Sequence, residues 1–119
     1  MDEKKPGIKL VNEFGVVIAI FQDQSIVDDL TIHGLEADLL ALVMSSPAEL
    51  KLVLDFRKVE SLSSCMLGVL LRLSKRIEER NGHMKFCCLQ KRLFEVFKLT
   101  RLDQIFEFYD RREDAVDDF

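Results

Sequence analysis

Leu52-Val53-Leu54-Asp55-Phe56-Arg57-Lys58-Val59-Glu60-Ser61-Leu62-Ser63-Ser64-Cys65-Met66-Leu67-Gly68-Val69-Leu70 is the stretch in which the period of the chain changes. Residues 52–56 are a near-continuous apolar run, the pattern of a β-strand covered on both faces. From near Met66 to Arg80 the spacing becomes helical. Leu67, Leu70, Leu71 and Ile77 fall on one stripe, and Arg72, Lys75, Arg76 and Glu79 turn to water. Asn81-Gly82 closes that helix with residues that tolerate a left-handed backbone. A buried strand feeding a helix through a short hydroxyl-rich junction is the repeating unit of an α/β domain.

The same alternation extends in both directions. Ile8 to Val11 and Val16 to Phe21 are short β-favouring runs, with Asn12-Glu13-Phe14-Gly15 between them, and predict an opening hairpin. Val16 to Phe21 has no polar alternation, which places it inside the sheet. Leu35, Leu39, Leu42 and Val43 mark a helix from about Leu30 to Val43, stopped by Ser45-Ser46-Pro47. Met84 to Leu89 predicts a further strand. Leu93, Val96 and Phe97 mark a third helix, Ile105 to Tyr109 a last strand and Glu113 to Asp118 a short terminal helix. The expected fold is α/β: one domain over residues 1–119, with a mixed, mostly parallel sheet opening with a hairpin and about four helices. Residues 1–7 are expected to be a disordered N-terminal tail.

Composition removes several classes of function. With 119 residues, 48% hydrophobic and 32% charged, the chain can bury one core without disulfide or metal support. A formal net charge of -4 repels phosphate backbones, so nucleic acid is not an expected partner. No apolar run approaches the roughly 20 residues needed to span a bilayer, and none follows the opening residues as a signal peptide would require. The expected location is the cytoplasm, with no membrane partner. The three cysteines are an odd number, and Cys87 and Cys88, neighbours on a strand, should point to opposite faces, so no disulfide framework is expected.

At the junction, Ser63 and Ser64 stand where a helix N-terminus presents unpaired N–H groups and about half a positive charge. Either serine could simply cap the helix. A second reading comes from resemblance. Residues 52–56, Val59 and residues 62–70 resemble the central block of STAS domains, the anti-sigma factor antagonists. Leu99-Thr100-Arg101-Leu102-Asp103-Gln104-Ile105-Phe106 resembles that family's Thr-Gly-Leu segment before its last strand, and Glu113-Asp114-Ala115-Val116 its terminal helix.

The resemblance implies a bacterial partner-switching regulator of transcription rather than an enzyme. Such a domain needs no cofactor or metal. It binds an anti-sigma factor that is a serine kinase and a histidine-kinase-like ATPase, and so frees a sigma factor. Phosphorylation of a loop serine ends binding, and a serine phosphatase resets the state. The matching serine is Ser64, with Ser63 as the runner-up, and the implied docking surface runs over Ser61, Ser63, Ser64, Cys65, Met66, Leu67 and Arg72. A phosphate adds about -1.5 to -2 charges where a partner must dry the surface. The chain departs from the usual Asp-Ser-Ser-Gly-Leu-Gly. Ser63 stands at the Asp, able to replace only its capping bond, Cys65 at the second Ser and Met66 at the first Gly, where it should enlarge the exposed apolar surface. Arg101 occupies another family Gly position, and strain is expected there if the backbone needs positive φ.

Alternatives stay open. A scaffold in a signalling complex could use this surface without phosphorylation, and a small-molecule sensor could use the same cleft. Cys65 near a helix N-terminus could respond to oxidants or merely pack. His33, Cys65, His83, Cys87 and Cys88 show no paired zinc-type spacing, and no base motif accompanies the serines, so neither metal nor nucleophilic catalysis is expected. The glycines form no phosphate loop or dinucleotide fingerprint. Arg72, Lys75, Arg76, Lys91 and Arg92 are read as solvated helix faces, as are the acidic residues of the tail. The oligomeric state is left open.

Overall fold

The computed structural model describes residues 7–119. Of the expected N-terminal tail, residues 1–6 lie outside the described residues, while Gly7 accepts a hydrogen bond from the Gln22 amide at 3.0 Å. Strands β1 (Ile8–Glu13) and β2 (Val16–Phe21) pair antiparallel with Glu13 opposite Val16, so the loop is only Phe14-Gly15. Both loop residues have positive φ, 54° and 81°, as a hairpin turn matching the strand twist requires. Asn12 and Glu13, expected in the turn, therefore belong to the strand.

The chain then builds a five-stranded sheet in the order β1-β2-β4-β6-β7, with β4 (Lys51–Asp55), β6 (His83–Cys87) and β7 (Glu107–Tyr109) added in parallel. Three helices connect the parallel strands: α1 (Asp29–Ser45), α2 (Ser64–Glu79) and α3 (Lys91–Leu99). Their apolar faces meet Phe21, Leu52, Leu54, Phe56 and Phe86 in the larger core. Phe86 stacks on Phe56 at 5.4 Å and on Phe106 at 4.6 Å between ring centroids. The fourth helix, α4 (Arg112–Asp117), covers the opposite face, where Ala115 and Val116 pack on Val16, Ile18, Val53 and Cys87. The mixed, mostly parallel α/β sheet with an opening hairpin and four helices is therefore as expected.

Two buried charges fasten α4 to that face. Asp55 is fully buried and its Oδ2 accepts from Arg112 Nε at 3.1 Å and Nη2 at 2.9 Å. Lys85, also buried, donates to the Asp118 carbonyl at 2.7 Å. Among the described residues no buried side-chain nitrogen or oxygen lacks a partner, the condition under which buried charges are tolerable.

Three expectations change at the edges of elements. The last strand begins at Glu107, not Ile105. A short 3₁₀ turn, Leu102–Gln104, precedes it and leaves Ile105 60% exposed. The β6 strand stops at Cys87, because Cys88 takes φ 63° and leaves the strand. Cys87 and Cys88 thus do not alternate across the sheet. Two short strands, β3 (Ser25–Ile26) and β5 (Ser61–Leu62), form a separate parallel ladder.

Arg101, just after the α3 cap, has φ 65°, the conformation for which a helix C-terminus favours glycine. A left-handed non-glycine residue costs about 1–2 kcal/mol. Glycine returns roughly 0.4–1 kcal/mol of that through the more flexible unfolded chain. Arg101→Gly should therefore stabilise the domain by about 0.5–1 kcal/mol, read as a higher denaturant midpoint at unchanged m. A lowered midpoint would show that the Arg101 side chain is worth more than the strain.

Candidate functional site

The junction is assembled from the end of β4 outward. Asp55 Oδ1 accepts from the Arg57 amide at 2.9 Å, turning the chain out of the strand, and the Phe56 amide donates to the Cys87 carbonyl at 3.0 Å. Val59 is buried and anchors the loop. The amides of Glu60 and Ser61 both donate to the Gln24 carbonyl, at 2.7 and 3.2 Å, and the Ser63 amide donates to the Ile26 carbonyl at 3.1 Å. The β3–β5 ladder with these flanking bonds holds the backbone immediately before α2, so the helix starts at a fixed place. The Ser61 and Ser25 hydroxyls meet at 3.1 Å across the ladder, which leaves Ser61 exposed but engaged.

Ser63 is the N-cap. Its backbone is extended, φ -89° and ψ 164°, and its Oγ accepts from the Met66 amide at 3.3 Å. Serine thus supplies the capping bond that the family's acid would supply, without its charge. The helix begins at Ser64, two residues earlier than the apolar spacing indicates. Ser64 is therefore the first helical residue rather than a loop residue, and its side chain is exposed, as is that of Cys65. The first amides of a helix have no carbonyl one turn back to bond, so the local field around the Ser64 hydroxyl favours negative charge.

Starting the helix at Ser64 fixes which residues point inward. Met66 is 0% exposed and Leu67 5%, joined in the core by Val69, Leu70, Leu73 and Ile77. The expectation that Met66 and Leu67 present an apolar docking surface is thus overturned. The flexible Met66 side chain fills the interior under the helix start, where a glycine would leave space. Leu71, placed by spacing on the inner stripe, is instead 37% exposed.

The outward line runs Ser64, Gly68, Leu71, Lys75, at helical spacing from the first residue of α2. Gly68, Leu71, Lys75 and Ile105 are among the residues that line a shallow groove of ≈ 530 Å³. Gly68 matches the last Gly of the family pattern and Ile105 is read as the start of a strand, but neither is counted among the expected docking residues. A second signal at Gly68 is its place in mid-helix, where glycine costs about 1 kcal/mol against alanine. The fold gives no steric reason for it, since a methyl there would meet only Arg72 Nη1, at 3.6 Å. Arg72 is exposed, and its Nε donates to Glu36 Oε2 at 3.1 Å, tying α2 to α1. Such a surface pair contributes little and can be rearranged by a partner.

A family model for the STAS domain matches residues 10–115. This chain is a STAS domain. Over 101 residues the domain is 32% identical to BtrV of Bordetella bronchiseptica, classed as an anti-sigma factor antagonist, covering 85% of this chain and 84% of BtrV. An anti-sigma-factor antagonist (STAS) domain protein from Planctomyces limnophilus superposes with a TM-score of 0.83 at 23% identity, over 91% of this STAS domain and 93% of the other chain. The antagonist SpoIIAA in its unphosphorylated form superposes with a TM-score of 0.76 at 14% identity, over 92% and 93% of the two chains. Its phosphorylated form from Bacillus gives 0.68 at 14% identity, over 92% and 96%. The STAS domain described here thus has the anti-sigma factor antagonist fold. None of its described helices is long and apolar enough to cross a membrane.

Proposed function

We propose that this STAS domain is a partner-switching regulator in the bacterial cytoplasm. In its unmodified form it captures an anti-sigma factor that is a histidine-kinase-like ATPase and serine kinase. Phosphate on Ser64 ends capture, and a serine phosphatase restores it. The domain itself catalyses nothing and holds no nucleotide. The observation that carries this reading is the placement of an exposed Ser64 hydroxyl at the head of an outward line with Gly68 and Leu71. The relationship to BtrV supports it, as does the fold shared with SpoIIAA, a protein that exists in phosphorylated and unphosphorylated forms.

The switch needs no refolding. A phosphate at the first helical residue is received by the helix N-terminus, so the domain keeps its shape. What changes is the surface: about -1.5 to -2 charges beside a groove that a partner must desolvate. Ser63 and Cys65 flank the acceptor. Ser61 and Arg72 lie at the margins of the same surface, and Met66 and Leu67 support it from below.

Gly68 separates fold from function. Gly68→Ala should raise the stability of the free domain by about 0.5–1 kcal/mol, because the helix gains propensity and the methyl meets no backbone. The same methyl stands on the docking line and should weaken capture of the anti-sigma kinase at least about tenfold, a loss of roughly 1.4 kcal/mol. Denaturant titration and isothermal calorimetry on the same protein preparations read both effects. Unchanged affinity would remove the α2 line from the interface.

A further inference from the structure

We propose that Cys87, Cys88 and Asp55 form a binding site for a thiophilic divalent cation of the zinc class, on the sheet face covered by α4 and away from the proposed switch.

Adjacent residues of a strand point to opposite faces. Cys87 ends β6 facing the α4 side, so Cys88 should face the other core. Its φ of 63° redirects it, and it packs with Cys87 in the smaller cluster beneath α4. Its amide donates to the Tyr109 carbonyl at 3.1 Å, which fixes this turn to the neighbouring strand. Both Sγ atoms and a carboxylate oxygen of Asp55 then lie within 4.8 Å of one another. Left-handed positions favour glycine, asparagine or aspartate, and any other residue held there costs of order 1–3 kcal/mol. Packing alone gives no reason for a second thiol at that place. The conformation nevertheless brings two sulfurs to one point.

The ligand set suits the cation class. Two thiolates and one carboxylate are ligands for zinc, with Zn–S near 2.3 Å and Zn–O near 2.0–2.2 Å, and the fourth position of a tetrahedron is left to water. Tetrahedral ligands at those lengths stand about 3.5–3.8 Å apart, so closure from 4.8 Å or less requires side-chain rotation rather than strand movement. Oδ2 of Asp55 is held by Arg112, while Oδ1 takes only the Arg57 amide and keeps a lone pair. Arg112 is thus the outer partner that orients the ligating carboxylate. Binding releases two thiol protons. The dication and the Arg112 guanidinium then offset the two thiolates and the carboxylate, so the occupied site is neutral. Cys88 is only half-buried and gives a route of entry.

The test is titration of the reduced full chain with zinc alone against a chromophoric chelator, with cobalt(II) as a spectroscopic substitute. Wild type should retain one equivalent and show thiolate-to-cobalt charge-transfer absorption. Loss of an outer partner typically costs about 10–100-fold in metal affinity, so losing a ligand in Cys88→Ser should cost at least about 100-fold. Cys65→Ser should change nothing. Cys88→Gly removes the ligand while relieving the left-handed residue. It should therefore be at least as stable as zinc-free wild type and, like Cys88→Ser, unable to hold zinc, which keeps the result separate from misfolding. Equal zinc retention by wild type and Cys88→Gly, loss of retention in Cys65→Ser, or a cobalt spectrum without thiolate absorption would each overturn the site.

Discussion

Ser64→Asp should lower the affinity of the domain for its anti-sigma kinase by about 100-fold or more while leaving the folding midpoint within error of wild type. Ser64 is exposed and its side chain is not the cap, since Ser63 Oγ receives the Met66 amide. A carboxylate at the first helical residue is well placed in the helix field, so the free domain tolerates it. In the complex that carboxylate would have to be desolvated, with an effective penalty of several kcal/mol for an unpaired buried ion. About 3 kcal/mol corresponds to roughly 100-fold in Kd. Ser63→Asp is the informative contrast. It would keep a capping acceptor and add charge one residue earlier, so it should preserve the fold and weaken capture less. Undiminished capture by Ser64→Asp would favour a scaffold that works without phosphorylation.

The second large effect concerns the fold that carries the switch. Asp55→Ala should destabilise the domain by about 3 kcal/mol. Removing one partner of a buried pair typically costs about 3–5 kcal/mol, because the other charge stays behind uncompensated. The lower end applies, because the Arg112 side chain keeps 19% of its exposure and has Glu13 at 3.6 Å as a second partner. Asp55→Asn retains an acceptor for the Arg57 amide and should lose less. Urea unfolding in chelator-treated buffer measures both, and a loss below about 1 kcal/mol for the alanine variant would mean that Ala115, Val116 and the Lys85 contact hold α4 without the ion pair.

The strands and helices were legible because their periods are long enough to count. Residues 16–21 carry an unbroken apolar run, 52–56 and 84–87 are interrupted only by Asp55 and Lys85, and α1 and α2 repeat over more than three turns. The β3–β5 ladder was not, because two residues define no period and its partners lie 36 positions apart. In α2 the error was one of phase. Adjacent leucines at 70 and 71 sit about 100° apart on a helix, so spacing alone cannot say which of them bounds the inner face. The cap at Ser63 decides it, drawing Met66 inward and turning Leu71 out. The left-handed turn at Cys88 had no local signal, since cysteine is not a residue type that announces positive φ. Arg101 was legible only through the glycine that the family places there. The Ser64 hydroxyl lies at the strand-to-helix junction that the sequence indicates, but its accessibility depended on where the helix begins.

Peptide mapping by mass spectrometry across Ser61 to Arg72, on protein recovered from its native host with and without phosphatase treatment, bears most directly on the switch. A single phosphate on Ser64, removed by the phosphatase and present only in the fraction that fails to bind the anti-sigma kinase, is the predicted result. A phosphate on Ser63 in its place, or an unmodified Ser64 in every fraction regardless of binding, would contradict it.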